Sequence, residues 1–288
     1  MTEHLNHMIL GLQSSGKSTF AGALWHLIDS GEVPTVLERG SHSGDYSHVE
    51  MLANYWAAGW RVPRTSGDQV EDISINLRQP SQHDDIRLSF PDLSGETFER
   101  AFATRYVDDS TLRLLGQMDG LLVFLNTERP RDDISILDVA KFIGPVPESE
   151  NETEVSFDAS LVPHQVQIVD LLQTCLIDPK ISSPKRLAVV VSAWDNVAEH
   201  IDPDLWLRQQ MPLLEQFLSQ ADVEFRVYGV SAQGGSLPKK DKSDDGTDRQ
   251  ELLKLEKASE RIEIKGHGAA SHDLTHIVRW LSGLEPHD

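Results

Sequence analysis

Apolar side chains recur along this 288-residue chain at two periods. Short solid runs suit strands buried on both faces: His7-Met8-Ile9-Leu10, Gly120-Leu121-Leu122-Val123-Phe124-Leu125, Leu187-Ala188-Val189-Val190-Val191 and Phe225-Arg226-Val227-Tyr228-Gly229-Val230. Between them apolar residues repeat at helical spacing. Phe20, Leu24, Leu27 and Ile28 do so over 19–29, and Val49, Leu52, Ala53, Trp56 and Ala57 over 46–60, with Gly59 marking an end. Further helices are predicted over 96–115, 164–177, 204–220 and 273–284. Residues 70–78 alternate instead, with Ile73, Ile75 and Leu77 on one face. After a polar turn comes Ile86-Arg87-Leu88-Ser89-Phe90, so these two strands form an antiparallel hairpin. Strands alternating with helices predict an α/β three-layer sandwich around a mostly parallel six-stranded sheet, with one antiparallel strand from the hairpin. In such sheets ligands collect at the carboxyl ends of the strands.

Three stretches depart from the strand–helix alternation, at about 30–69, 127–163 and 239–270, and we read them as insertions in a single domain, 1–288. The second is acidic, with a short helix expected at 134–142; the third is charged enough to read as an insertion or a disordered loop. With 39% hydrophobic residues the chain has material for a real core. Its 26 basic against 46 acidic side chains give a net charge of −20, which disfavours nucleic acid and anionic membranes as partners. One cysteine, Cys175, excludes an internal disulfide and fits a reducing compartment. Met1-Thr2-Glu3-His4 does not resemble a signal peptide, and no run of about 18 apolar residues predicts a membrane span. A cytoplasmic protein is expected. His42, His48, His83, His200, His267 and His272 lack metal-ligand spacing and read as surface residues.

The chemistry begins at Gly11-Leu12-Gln13-Ser14-Ser15-Gly16-Lys17-Ser18, which fits G-x-x-x-x-G-K-[ST]. A predicted strand precedes it and a predicted helix follows. That order lets the backbone N–H groups of Gln13, Ser14, Ser15, Gly16, Lys17, Ser18 and Thr19 wrap a phosphate chain at a helix N-terminus. Gly11 and Gly16 allow conformations and close approaches that a side chain would block. Lys17 reaches the β- and γ-phosphates, and the Ser18 hydroxyl suits Mg²⁺. The competing interpretation is a chance match in a surface turn.

Three more motifs stand at strand ends, and together they resemble a TRAFAC-class P-loop GTPase, with Ras, Arf and Gα as relatives. Asp92-Leu93-Ser94-Gly95 resembles D-x-x-G. The resemblance implies that Asp92 touches Mg²⁺ through water and that the Gly95 N–H meets the γ-phosphate; Asp92 or Ser94 also suits a helix N-cap. Ser192-Ala193-Trp194-Asp195 stands where the family has N-K-x-D. There Asp195 would accept hydrogen bonds from guanine N1 and N2 and repel the N1 acceptor of adenine. Ser192 and Ala193 depart from the family's Asn and Lys. Trp194 packs either near the base or in the core, and Asp195 would also serve as an N-cap. Ser231-Ala232-Gln233 is similar to the S-A-K loop, whose backbone reads guanine O6. For the switch-I threonine, which would bind Mg²⁺, Thr65 is favoured over Thr35 because it stands just before the hairpin. Residues 30–69, including Gly59-Trp60-Arg61-Val62-Pro63-Arg64-Thr65, also resemble bacterial double-GTPase-type domains.

The resemblance implies GTP and GDP as ligands, Mg²⁺ as cofactor, and a switch read by an effector protein through 30–69 and 96–115. Glu96 follows the D-x-x-G glycine where Ras and Gα carry Gln. A carboxylate accepts a proton from water but donates none to the γ-phosphate, so hydrolysis should be slow or partner-stimulated, with Lys17, Thr65 and Glu96 as its catalytic residues. Glu96 reads equally as a solvated first-turn residue. Arg61 or Arg64 would serve as an internal arginine finger. Two other readings remain: a nucleotide-binding interaction module without turnover, and a P-loop kinase with 239–265 as its lid. The kinase leaves Asp195 and Ser231-Ala232 without a role.

Overall fold

The computed structural model describes residues 4–41, 45–63, 73–80, 85–91, 96–128, 162–177, 181, 183–243 and 245–285. Its centre is one sheet of eight strands: β1 (Leu5–Leu10), β2 (Glu38–Arg39), β3 (Ile73–Arg78), β4 (Asp85–Phe90), β5 (Gly120–Asn126), β6 (Arg186–Ser192), β7 (Glu224–Ser231) and β8 (Glu263–Lys265). The order is β2-β3-β4-β1-β5-β6-β7-β8. Strands β4, β1, β5, β6 and β7 run parallel. The contacts of β3 with β2 and β4, and of β7 with β8, are antiparallel. The α/β class and the hairpin follow the sequence pattern, but the strand count does not. Both extra strands lie at the sheet edges and hold two and three residues. Runs that short carry no readable period, and β8 adds a second reversed strand to the one expected.

Alternation along the buried strands splits the core into two layers. Leu122 and Phe124 of β5 join a cluster with α1 (Lys17–Ser30), α2 (Ser47–Ala57) and the last helix. Leu121, Val123 and Leu125 point the other way, into a cluster that includes Phe98, Leu172, Leu207 and Leu214. That second face is covered by α3 (Glu96–Thr104), α4 (Asp109–Leu115), α5 (His164–Ile177), α6 (Pro203–Gln210) and α7 (Pro212–Gln220). A helical turn, α8 (Arg249–Leu252), precedes the final helix, α9 (Thr275–Leu281).

Two predicted helices are each broken in two. Residues 96–115 divide at Arg105, which takes a left-handed φ of 57°. The chain restarts where the Asp108 carboxylate accepts the Thr111 N–H at 2.9 Å, an N-cap that competes with helix continuation. Residues 204–220 divide at Met211, held at φ −135° and ψ 60°. Pro212 explains this break: it lacks an N–H and disfavours helical geometry in the residue before it.

The charged 239–268 stretch is ordered where it is described. It contributes β8, and it buries Arg261, Ile262 and Ile264. Arg261 donates to the Trp56 carbonyl at 2.9 Å, and Arg249 donates to the Gly59 carbonyl at 3.0 Å. Two guanidinium groups thus satisfy carbonyls at the C-terminus of α2, where positive charge is favoured. The acidic stretch, including the helix expected at 134–142, lies outside the described residues.

Candidate functional site

The parallel strands β1, β5, β6 and β7 deliver their carboxyl ends to one cleft of about 220 Å³. Gln13, Ser14, Ser15, Gly16, Lys17, Ser18 and Thr19 line one side of it. The loop turns tightly because Ser14 and Gly16 adopt left-handed φ values of 59° and 98°. Only glycine fits at Gly16, since a Cβ there would lie 2.8 Å from the Ser192 Oγ. The loop's amides and the start of α1 form a concavity suited to an anion. Lys17 is 2% exposed. Its ammonium group stays with the loop, donating to the Gly11 carbonyl at 2.7 Å and the Leu12 carbonyl at 3.0 Å.

Two struts hold this loop from below. The Ser192 hydroxyl donates to the Ser15 carbonyl at 2.8 Å, and the Asn126 amide donates to the Ser14 carbonyl at 2.7 Å. Asn126 and Ser192 are register partners at the ends of β5 and β6. Asn126 went unrecognised in the sequence, although a polar residue closing an apolar strand at its carboxyl end is a readable signal.

Beyond β6 the chain turns through Ala193, at φ 55°, into a short 3-10 turn over Trp194–Asn196. The turn separates two neighbours. Trp194 goes to the core, 2% exposed, so packing against a base is ruled out for it. It lies over Gly229, where an added Cβ would come within 2.2 Å of the indole. Asp195 is exposed on the cleft lining. The buried Ser231 hydroxyl donates to the Asp195 carboxylate and accepts the Gly234 N–H at 3.1 Å. Ala232 lines the cleft, and its carbonyl accepts the Trp56 indole N–H at 2.7 Å. The structure therefore brings 13–19, Asp195 and Ala232 to one cleft, with Ser231 directly behind Asp195.

Arg61, Val62 and Pro63 form the opposite rim, where the Arg61 N–H donates to the Pro238 carbonyl at 2.8 Å. Arg64, Thr65, Asp92 and Gly95 lie outside the described residues. Thr35 is not on the cleft lining. Its neighbours Val36 and Leu37 are bound to Asp273 and Thr275 beside α9, at 2.9 and 3.1 Å. Glu96 is exposed at the start of α3 and also stands off the lining. One turn later Glu99, which sequence reasoning missed, accepts the Gln13 N–H at 3.0 Å.

Among the described residues no group of three His, Cys, Asp or Glu side chains is placed to cage a metal. A single hydroxyl residue, Ser18, on the lining of this anion-suited cleft instead fits a hard ion that takes most of its ligands from a bound anion and water. Burial pushes the Cys175 thiol up to about 12, so it offers no nucleophile. No helix among the described residues is long and apolar enough to cross a membrane.

A family model described as Double-GTPase 1 matches residues 8–281. No curated protein matches the sequence. Among solved structures, the Arl6 BBS3 small GTPase from Trypanosoma brucei with bound GppNp is 11% identical, with 80% of this chain and 88% of that one covered and a TM-score of 0.37. The S. cerevisiae Ski7 GTPase-like domain bound to GTP is 14% identical over 82% of this chain and 44% of that one, with a TM-score of 0.39. The bacterial selenocysteine-specific elongation factor EF-Sec is 12% identical over 81% and 27%, with a TM-score of 0.35. The chain thus spans less than half of the last two. With the family model covering nearly the whole chain, from the strand before the phosphate loop to the last helix, this protein belongs to the Double-GTPase 1 family.

Proposed function

We propose that this chain is a guanine-nucleotide switch that hydrolyses GTP slowly, with residues 1–288 acting as one GTPase domain carrying insertions at 30–69, 127–163 and 239–270. The observation that carries the reading is the shared cleft of the phosphate loop and Asp195. An anion-binding loop alone would fit any nucleoside phosphate. A carboxylate on the same cleft, oriented by Ser231, favours a base that presents two adjacent donors, which guanine does and adenine does not.

In this reading the loop amides and Lys17 hold the phosphates, Ala232 meets guanine O6 through its backbone, and Asp195 takes N1 and N2. Ser18 would hold Mg²⁺, joined by Thr65 and, through water, by Asp92; the ion would neutralise phosphate charge. Gly95 and Thr65 sense the γ-phosphate, and their release after hydrolysis loosens the segments a protein effector reads. Glu96 orients the attacking water. An intrinsic rate near the ~10⁻⁴ s⁻¹ of unassisted GTPases fits a site with a carboxylate in that role. The absence of a membrane-spanning helix among the described residues is compatible with a cytoplasmic setting.

A nucleotide-binding module without turnover is the second reading, favoured by the position of Glu96 off the cleft lining. The kinase reading is weakened because Arg249 and Arg261 bind part of the expected lid to α2. Phosphate release by purified protein, against a Lys17→Ala control, separates the readings. GTP turnover above the control supports the switch. Nucleotide binding without turnover supports the module, and ATP-dependent transfer supports the kinase.

A further inference from the structure

The Gln13 N–H is one of the phosphate loop's anion-binding groups, and it is already taken. Its partner is a carboxylate, Glu99 Oε1, at 3.0 Å. We infer that Glu99 is a specificity-determining residue that competes with the terminal phosphate, so that the site favours the diphosphate until α3 moves. This deepens the guanine-nucleotide reading and rests on it.

The contact is held in place from both sides. Lys17 binds the Gly11 and Leu12 carbonyls, which fixes the backbone immediately before Gln13. Leu12 also shares a core cluster with Phe98 and Ala101 of α3, so apolar packing flanks the polar contact. Glu99 is partly buried. Its bond joins an anionic acceptor to a backbone donor, the stronger class of hydrogen bond, in a place where water screens it only in part.

The orientation of a nucleotide gives the contact its meaning. With the base at Asp195, the phosphate chain runs along the loop, and each added phosphate extends away from the base. Glu99 is not itself on the cleft lining; it reaches the loop at Gln13, which is, from the helix that follows Asp92–Gly95. A diphosphate leaves the carboxylate where it is. A triphosphate brings more negative charge toward it, and two anions do not share one N–H group. Glu99 must then withdraw. Because it sits one turn into α3, its withdrawal shifts the start of that helix. The same contact thereby lowers triphosphate affinity and transmits triphosphate binding to the α3 surface.

Fluorescent GDP and GTPγS, titrated in Mg²⁺ into the wild type, Glu99→Ala and Glu99→Gln, test this. In Glu99→Ala the ratio Kd(GTPγS)/Kd(GDP) is expected to fall at least fivefold, mainly through tighter GTPγS binding. Glu99→Gln, which keeps an acceptor but loses the charge, should fall between. Hydrogen exchange of α3 without nucleotide should be faster in Glu99→Ala than in the wild type, and GTPγS should speed it in the wild type. An unchanged or raised ratio, with both nucleotides still binding, would overturn the role of Glu99 and leave the GTPase reading intact. Failure of the wild type to bind either nucleotide would overturn both.

Discussion

Ser192 and Ser15 are joined by a 2.8 Å hydrogen bond from the Ser192 hydroxyl to the Ser15 carbonyl. One end of β6 thereby supports the phosphate loop while the next three residues lead to Asp195. The Asn126 bond to Ser14 supplies a second strut from the neighbouring strand.

Replacing Ser192 by Ala leaves the buried Ser15 carbonyl without this donor. A stability loss of about 1–2 kcal/mol is expected in urea titrations. GDP and GTPγS should weaken together, by calorimetry, because the loop's shape matters to both. Weakening of one nucleotide alone would count against a shared scaffold.

Asp195→Asn changes what the cleft accepts. The carboxamide has one acceptor and one donor where the carboxylate had two acceptors. GDP affinity should fall by about 100-fold, the worth of a charge-assisted pair. XDP, whose base carries a carbonyl in place of the guanine amino group, should gain. Competition titrations with GDP and XDP read this directly, and an unchanged preference for GDP would remove Asp195 from base selection.

Trp56 connects the loop after β7 to the Arg-clamped end of α2. Its indole N–H donates to the Ala232 carbonyl at 2.7 Å, and the Arg261 guanidinium lies 4.2 Å from its ring centre. Trp56→Phe keeps most of the ring and removes the donor. We expect a loss of about 1 kcal/mol in stability and a severalfold rise in the GDP dissociation constant. A variant that lost stability but bound GDP normally would show that the contact is structural only.

Much of this site was legible because its parts follow local rules. The phosphate loop sits between a solid apolar run and a helical repeat, while Asp195 lies just beyond β6 and Ser231 ends β7, both at the carboxyl end of the sheet. What stayed hidden depends on distant contacts. Glu99 looks like a solvated helix residue until α3 is packed against Leu12. Arg261 hid in a stretch whose charge read as disorder, because its burial depends on α2 lying alongside. The break at Pro212 was readable in principle, yet the apolar repeat on both sides masked it. The strand β8 holds three residues and takes its place from pairing with β7.

His7 gives the fold a pH dependence separate from the site. Its Nε2 lies 2.8 Å from the Ser282 hydroxyl, which itself donates to the Val278 carbonyl, so Nε2 carries the proton. Burial, aided by the positive charge of Arg186, lowers the pKa from 6.5 to about 3. The unfolded chain therefore binds a proton that the folded chain refuses. The stability contribution is complete above pH 6.5 and is lost as pH falls toward 3, at about 1.4 kcal/mol per pH unit. His7→Gln, a neutral donor, should show a shallower loss than the wild type in urea unfolding between pH 7 and 5. Parallel slopes would exclude His7 as the source.

The most direct test of the whole account is calorimetric titration of the purified protein with GDP, GTPγS and ATPγS in the presence of Mg²⁺. Saturable binding of both guanine nucleotides is predicted, with ATPγS at least 100-fold weaker and all heat lost in Lys17→Ala. Equal affinity for ATPγS, or no binding of guanine nucleotides at millimolar concentration, would contradict it.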